Sequence, residues 1–120
     1  TLELGSGQFK GNYSYASRLE DRPGTNPDEL IGAANAGCFS MALSLMLEQA
    51  GFAPKNINTE ASVTLDAQKL AITTIELTTV AEVDGIDNGK FKEIAEQAKE
   101  GCPVSKALAG VDIKLNATLK

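Results

Sequence analysis

The sequence predicts a mixed α+β domain ordered β-β-α-β-β-α-β around one long, buried central helix. Three observations carry that prediction. A capped segment from Asn26 to about Ala50 is apolar on every side, two neighbouring segments alternate between apolar and polar residues, and a second, amphipathic helix precedes a closing strand. With 120 residues, 42% hydrophobic and 22% charged, the chain has the length and usage of one globular domain spanning residues 1–120. No repeat or linker divides it.

Thr1 to Ser17 has few charges, with Tyr13 and Tyr15 in alternation and Gly5, Gly7 and Gly11 as breaks, which reads as one or two strands with turns. The Gly5, Gly7, Gly11 spacing misses the dinucleotide fingerprint and opens no helix. Glu20 to Gly24 is a polar turn. Asn26 then supplies an N-cap, Pro27 the first helical position and Glu29 the third position of a capping box, while Gly51 suits the position just past the end. Between Leu30 and Leu47 only Asn35, Ser40 and Ser44 are polar, so this helix is expected to be buried all round. It is too interrupted and slightly short for a membrane span. Asn58 to Leu65 and Leu70 to Val83 form a strand pair around Asp66 to Lys69. Asp87 or Asn88 starts a helix with the stripe Phe91, Ile94, Ala95 and Ala98, and Gly101 ends it. Cys102 and Pro103 open a helical turn through Leu108, and Val111 to Leu119 closes the domain as a strand. A small domain has limited means of covering a wholly apolar helix, so a second copy of the chain is expected to cover the remainder.

Composition excludes several chemistries. Eleven basic residues against sixteen acidic ones give a net charge of −5 and a pI near 4.7, which disfavours nucleic acid and anionic membrane surfaces. With no His, a Ser-His-Asp triad, a Cys-His pair and any His-based metal site are excluded. The two cysteines, Cys38 and Cys102, form no CxxC unit. A lone Cys pair, with no charged and apolar leader at the start, points to the cytoplasm, where such pairs are more often redox-active than structural. The sequons at Asn12 and Asn116 are short chance patterns and carry no weight.

Candidate chemistry therefore rests on sulfur, guanidinium and carboxylate. Taken alone, Cys38 within Ala36-Gly37-Cys38-Phe39-Ser40 reads as a small hydrophobe, because a thiol in apolar surroundings is inert unless a cation lies close. Arg is the suitable cation, since it stays charged when desolvated. Arg18, at the end of the predicted second strand, and Arg22, in the turn, are the candidates, with Asp28 as a carboxylate to hold either one. Asp28 and Glu29 equally serve the helix start. Cys102 precedes Pro103 at a helix start, a position that lowers a thiol pKa, or it simply packs beneath the loop.

The segment Gly24-Thr25-Asn26-Pro27-Asp28-Glu29-Leu30-Ile31-Gly32-Ala33-Ala34, running into Ala36-Gly37-Cys38-Phe39-Ser40-Met41-Ala42-Leu43-Ser44, resembles the hallmark of the osmotically inducible protein C and organic hydroperoxide resistance (OsmC/Ohr) family. Gly101-Cys102-Pro103-Val104-Ser105 resembles its second motif. The likeness extends over nearly the whole chain and is closer to the osmotically inducible branch. It implies an intertwined homodimer with two central helices flanked by sheets, and a thiol peroxidase that reduces organic hydroperoxides without metal, haem or flavin. Cys38 falls on the peroxidatic position and Cys102 on the resolving one. Arg18 and Asp28 fall on the activating Arg and its acidic partner. The family has Glu where this chain has Asp28, and Glu29 is the alternative partner. The resemblance further implies a sulfenic acid at Cys38, a Cys38–Cys102 disulfide, and recycling by a dithiol, lipoyl-type in the better-known members. Apolar helix residues such as Phe39 and Met41 would favour an alkyl peroxide. The N-terminal stretch is shorter than the family's, which leaves a first strand unaccounted for. A non-enzymatic redox sensor or apolar-ligand binder with the same Cys pair, and a purely structural dimer, are the competing readings. The presence of Cys38, Cys102 and Arg18 together favours the enzyme.

Overall fold

The elements run β1 (Leu2–Glu3), β2 (Lys10–Gly11), α1 (Tyr15–Leu19), α2 (Pro27–Gln49), β3 (Pro54–Asp66), β4 (Ala71–Val83), α3 (Asn88–Gly101), α4 (Pro103–Ala107) and β5 (Asp112–Leu119). They are those of a computed structural model that describes residues 1–19 and 23–120. The chain divides into two compact units, Thr1–Ile31 and Gly32–Lys120. The mixed helix-and-sheet class is as expected; α4 is the helical turn predicted after Cys102, and the short helix α1 stands where a strand was expected.

In the first unit, β1 and β2 pair antiparallel, Leu2 opposite Gly11 and Glu3 opposite Lys10. The Tyr13 and Tyr15 alternation does not extend this ribbon. Tyr13 makes one isolated bridge to Thr25, and Tyr15 already belongs to α1. The reason is a reciprocal cap: the Ser17 N–H donates to Ser14 Oγ at 3.0 Å and the Ser14 N–H to Ser17 Oγ at 2.9 Å, which satisfies donors a helix start leaves open. Gly24 has φ +122°, and a Cβ there would stand 2.9 Å from the Asn12 carbonyl oxygen that accepts the Thr25 N–H. A side chain would prevent that approach. Arg22 and most of the predicted Glu20 to Gly24 turn lie outside the described residues.

The first turn of α2 is built as expected at Asn26, whose Oδ1 accepts the Glu29 N–H at 2.8 Å. The other half of the predicted capping box is replaced, because the Glu29 carboxylate accepts the Thr25 hydroxyl at 2.7 Å. At the far end the Phe52 N–H reaches Leu47 O and the Gly51 N–H reaches Glu48 O, with Gly51 at φ +94°. This paired closure needs a left-handed residue, and glycine takes that conformation at no steric cost.

In the second unit β3, β4 and β5 form one sheet in that order, β3 antiparallel and β5 parallel to β4. The hairpin loop is held by Asp66, whose Oδ1 accepts the Gln68 and Lys69 N–H groups. Register aligns Val63, Ile75 and Ile113, then Ala61, Leu77 and Leu115, on one face. Asn58, Glu76, Thr78, Lys114 and Asn116 point to the other, exposed face, the alternation of a sheet with one covered side. α3 is capped by Asp87, which accepts the Lys90 N–H, and buries the predicted stripe Phe91, Ile94, Ala95 and Ala98.

From Gly32 onward α2 is not buried all round. Asn35, Phe39, Leu43 and Leu47 are wholly inaccessible, whereas Met41 is 76% and Leu45 56% exposed. A helix repeats every 3.6 residues, so a single-layer sheet can cover only one side of it. By length and apolarity alone α2 could cross a membrane, yet its inner stripe is packed as in a core helix. A hydroxyl chain also ties it to the sheet: Ser40 Oγ donates to Thr59 Oγ1 at 2.7 Å, Thr59 and Thr79 share a 2.9 Å bond, and Thr79 donates to the Asn58 carbonyl.

Candidate active site

Two constellations emerge, one in each unit. In the first, α1 presents Arg18 and the first turn of α2 presents Asp28. Arg18 Nε donates to Asp28 Oδ2 at 3.0 Å and Nη2 to Oδ1 at 2.9 Å. This is the bidentate fork that guanidinium and carboxylate favour, and the hydrogen bond to Asp28 pushes the guanidinium pKa up. The pair is oriented from behind, since Ser17 Oγ donates to the Thr25 carbonyl and Asn26 Nδ2 to the Ser17 carbonyl. Arg18 thus lies on a helix rather than at the end of a strand. Asp28, not Glu29, is its partner despite the shorter side chain.

In the second unit, α2 supplies Cys38 and the α3–α4 junction supplies Cys102. The Cys102 N–H caps α3 by donating to Ala98 O at 3.1 Å, and its carbonyl accepts the Lys106 N–H at 3.0 Å. Its backbone is fixed from both sides, with Pro103 opening α4 as predicted. Both thiols are free, Cys38 half-buried and Cys102 fully inaccessible. Each acts on the other's titration. Burial raises the Cys38 thiol, and its hydrogen bonding toward Cys102 raises it further, against the Val104 amide. Burial also pushes Cys102 up, but the Cys38 thiol, the amide and hydroxyl of Ser105 and the Val104 amide outweigh it and leave Cys102 below its ordinary value. A pair of this kind gives up its first proton readily and its second reluctantly.

Cys38 opens onto an apolar depression of about 810 Å³, lined among others by Ala34, Gly37, Met41, Leu45 and Pro103. Met41 lines the same depression as Cys38. Phe39 does not: it is fully buried and no part of the depression, because the residue after Cys38 turns to the inner stripe. Asn35, which the sequence reading passed over as one polar residue in an apolar run, is wholly buried and directs Nδ2 at Ser105 Oγ (3.1 Å) and Cys102 Sγ (4.0 Å). Its position one turn before Cys38 was the available signal.

An α+β chain that brings two free thiols together, one open to an apolar pocket and one sealed behind it, defines a cysteine-pair redox protein. More narrowly, the chain belongs to the OsmC-like protein family, whose model matches residues 19–116. It is 52% identical to the Peroxiredoxin OsmC of Escherichia coli (strain K12) over 110 residues, which cover 90% of this chain and 76% of that protein. Against the Organic hydroperoxide resistance protein OhrB of Bacillus subtilis (strain 168) the identity is 33% over 101 residues, covering 82% and 74%. The chain is therefore closer to the OsmC branch. A crystal structure of an organic hydroperoxide resistance protein OsmC from Legionella pneumophila shares the fold, with a TM-score of 0.77 at 24% identity over 97% of this chain and 86% of that one. The OhrB structure from Bacillus subtilis superposes with a TM-score of 0.69 at 29% identity over 98% and 87%. The activity of this chain is that of a thiol-dependent peroxidase of stress defence.

Proposed function

We propose that the chain reduces organic hydroperoxides to alcohols through Cys38 and Cys102 and is recycled by a dithiol. The Cys38 thiolate attacks the distal peroxide oxygen. An S–O bond forms, the O–O bond breaks, and the leaving alkoxide takes a proton to become the alcohol. The Cys102 thiolate then attacks the Cys38 sulfur, and hydroxide leaves as water when the disulfide forms. A lipoyl-type dithiol returns both sulfurs to thiols, and the cytoplasm expected from cysteine usage keeps them reduced between turnovers. The observation that carries this reading is the pair of free thiols, one sealed and the other facing an apolar depression. That depression suits an alkyl group better than hydrogen peroxide.

Burial holds Cys38 above its ordinary value, yet the attacking species is the thiolate. In this proposal the positive charge that offsets burial comes from Arg18, kept in orientation by Asp28, and the same guanidinium polarises the peroxide. Consumption of cumene hydroperoxide with dithiothreitol tests the scheme. Cys38→Ser is expected to abolish turnover, and Arg18→Met to slow it about a hundredfold, the loss typical of removing one charge-stabilising donor. Wild-type rates for Cys38→Ser would sink the peroxidase assignment at that sulfur.

A homodimer is part of the same proposal. The exposed apolar face of α2 around Met41 and Leu45 borders the reactive sulfur, and a second copy seated there would close the depression. Sedimentation of Leu45→Glu is expected to give monomers where the wild type gives dimers. A wild type sedimenting as a monomer would remove the dimer from the scheme.

A further inference from the structure

We propose that Asn35, acting with Ser105, is a positioning residue that makes Cys102 the leaving sulfur when the Cys38–Cys102 disulfide is reduced, so that the incoming dithiol bonds to Cys38. The inference rests on the dithiol-recycled pair proposed above.

Asn35 is inaccessible, and its Oδ1 has no hydrogen-bond partner among the described residues. A buried, unpaired amide oxygen opposes folding, and a Leu of similar size would fill the place without that cost. What the amide contributes comes through its donor. Nδ2 donates to Ser105 Oγ at 3.1 Å and points at Cys102 Sγ at 4.0 Å, the outer limit for a sulfur acceptor. Ser105 Oγ, once it accepts from Asn35, keeps its own O–H free to donate to the Cys102 sulfur, which that hydroxyl already influences. Donor chains of this sort strengthen one another in a water-free interior. The Val104 and Ser105 amides add to the effect without closing a full side-chain cap on α4. Among the described residues, the titratable group acting on Cys102 is Cys38 of α2; α4 contributes amides and a hydroxyl.

Access and electronics then select the same sulfur. Cys102 is sealed and Cys38 is open to the depression, so only Cys38 offers a line of attack. The thiolate with donors still aimed at it is the faster leaving group, and that is Cys102: with Cys38 consumed in the disulfide it loses that thiol's hydrogen bond but keeps the amide and hydroxyl of Ser105. In balanced form, a reductant thiolate attacks Cys38 Sγ, the new S–S bond forms, and the old one breaks with its electron pair going to Cys102. The second reductant thiolate then attacks the mixed disulfide and releases Cys38. The dithiol leaves as a disulfide, two electrons having passed to the protein, and both cysteines regain protons.

The test begins with whole protein oxidised by diamide, so no hydroperoxide is involved and failure of the peroxidase reading shows separately. Brief exposure to glutathione, with N-ethylmaleimide blocking the thiol released, followed by peptide mass mapping, should place glutathione on Cys38 and maleimide on Cys102. The opposite placement, or no disulfide after diamide, overturns the proposal. Asn35→Leu and Ser105→Ala should each slow reduction by dithiothreitol about threefold to tenfold through the poorer leaving group, with Ser105→Thr restoring the rate. In the Cys38→Ser background the same changes should raise the ultraviolet thiolate midpoint of Cys102 by about one pH unit, the equivalent of one weakened hydrogen bond. Asn35→Leu should hold or raise thermal stability, which a merely structural Asn35 would not do. If that variant fails to fold, Ser105→Ala carries the test alone. Rates and midpoints unmoved in the folded variants overturn the proposal.

Discussion

The two sides of α2 within the second unit have similar composition and opposite duties. The inner side, Phe39, Leu43 and Leu47, is wholly inaccessible. The outer side, Ala34, Gly37, Met41 and Leu45, is as apolar but lines the depression onto which Cys38 opens. Cys38 sits where the two sides meet, close enough to the packed interior to reach Cys102 and close enough to the open side to meet a substrate. Hydrophobicity therefore marks folding on one side of this helix and chemistry on the other. Only the neighbours distinguish them.

Substitutions matched across the two sides test that division most directly. Phe39→Ala empties a fully buried site and should cost about 3–5 kcal/mol of stability in urea unfolding. Met41→Ala, at a position 76% exposed in one chain, should stay within about 0.5 kcal/mol in a background kept monomeric by Leu45→Glu, and in the dimer appear as a raised KM for cumene hydroperoxide. Comparable stability losses at both positions would mean that the outer side is packed as tightly as the inner one.

A smaller contrast comes from two glycines of the same helix. A Cβ at Gly32 would stand 2.7 Å from Val63 Cγ2, while one at Gly37 meets nothing within 4 Å. Val63 is β-branched and yields poorly, so overpacking of about 1–3 kcal/mol should outweigh the roughly 1 kcal/mol that Ala gains over Gly in a helix. In the same monomeric background Gly32→Ala should therefore destabilise by about 1 kcal/mol net, and Gly37→Ala should stabilise by up to about 1 kcal/mol. Equal signs in urea unfolding would erase the distinction between the two sides.

What could be read in advance follows from how local each signal is. The caps at Asn26 and Asp87, the closure at Gly51 and the stripe of α3 are patterns complete within a few residues, and all are found in the structure. The alternation of β3 and β4 was legible for the same reason, although Leu70 belongs to the loop, at φ +51°. α1 was missed because Tyr13 and Tyr15 mimic a strand period. The Ser14 and Ser17 pair that decides the matter was present but unread. The side of α2 turned to the sheet was not legible, since apolar residues surround the helix and period 3.6 then has no phase to report. Phe39 was assigned to substrate for that reason. Asp28 over Glu29 was half legible: the capping position already engages Glu29 and leaves Asp28 the freer carboxylate, but that Thr25 is what holds Glu29 shows only once the turn has formed.

The smallest expected effect lies in the thiol pair, where the open and packed sides meet. An unfolded thiol releases its proton near the ordinary value of 9.0, whereas folded Cys38, raised chiefly by burial, holds its proton above that value. Its contribution to stability is full below the ordinary value and is lost as pH rises through the folded one. Cys102 is the reverse: burial raises it, but its hydrogen-bond donors bring it below the ordinary value. Its contribution is therefore present above the ordinary value and lost as pH falls through the folded one. The reduced protein should thus be most stable near pH 9, with a rising limb owed to Cys102 and a falling limb owed to Cys38. Urea unfolding across alkaline pH should show Cys102→Ser losing the rising limb, and Cys38→Ser losing the falling one and weakening the rising one, since the Cys38 thiol heads the donors to Cys102. Superimposable curves for the two variants would mean that the sulfurs share one environment, and the contrast between the sides of α2 would then stop short of its chemistry.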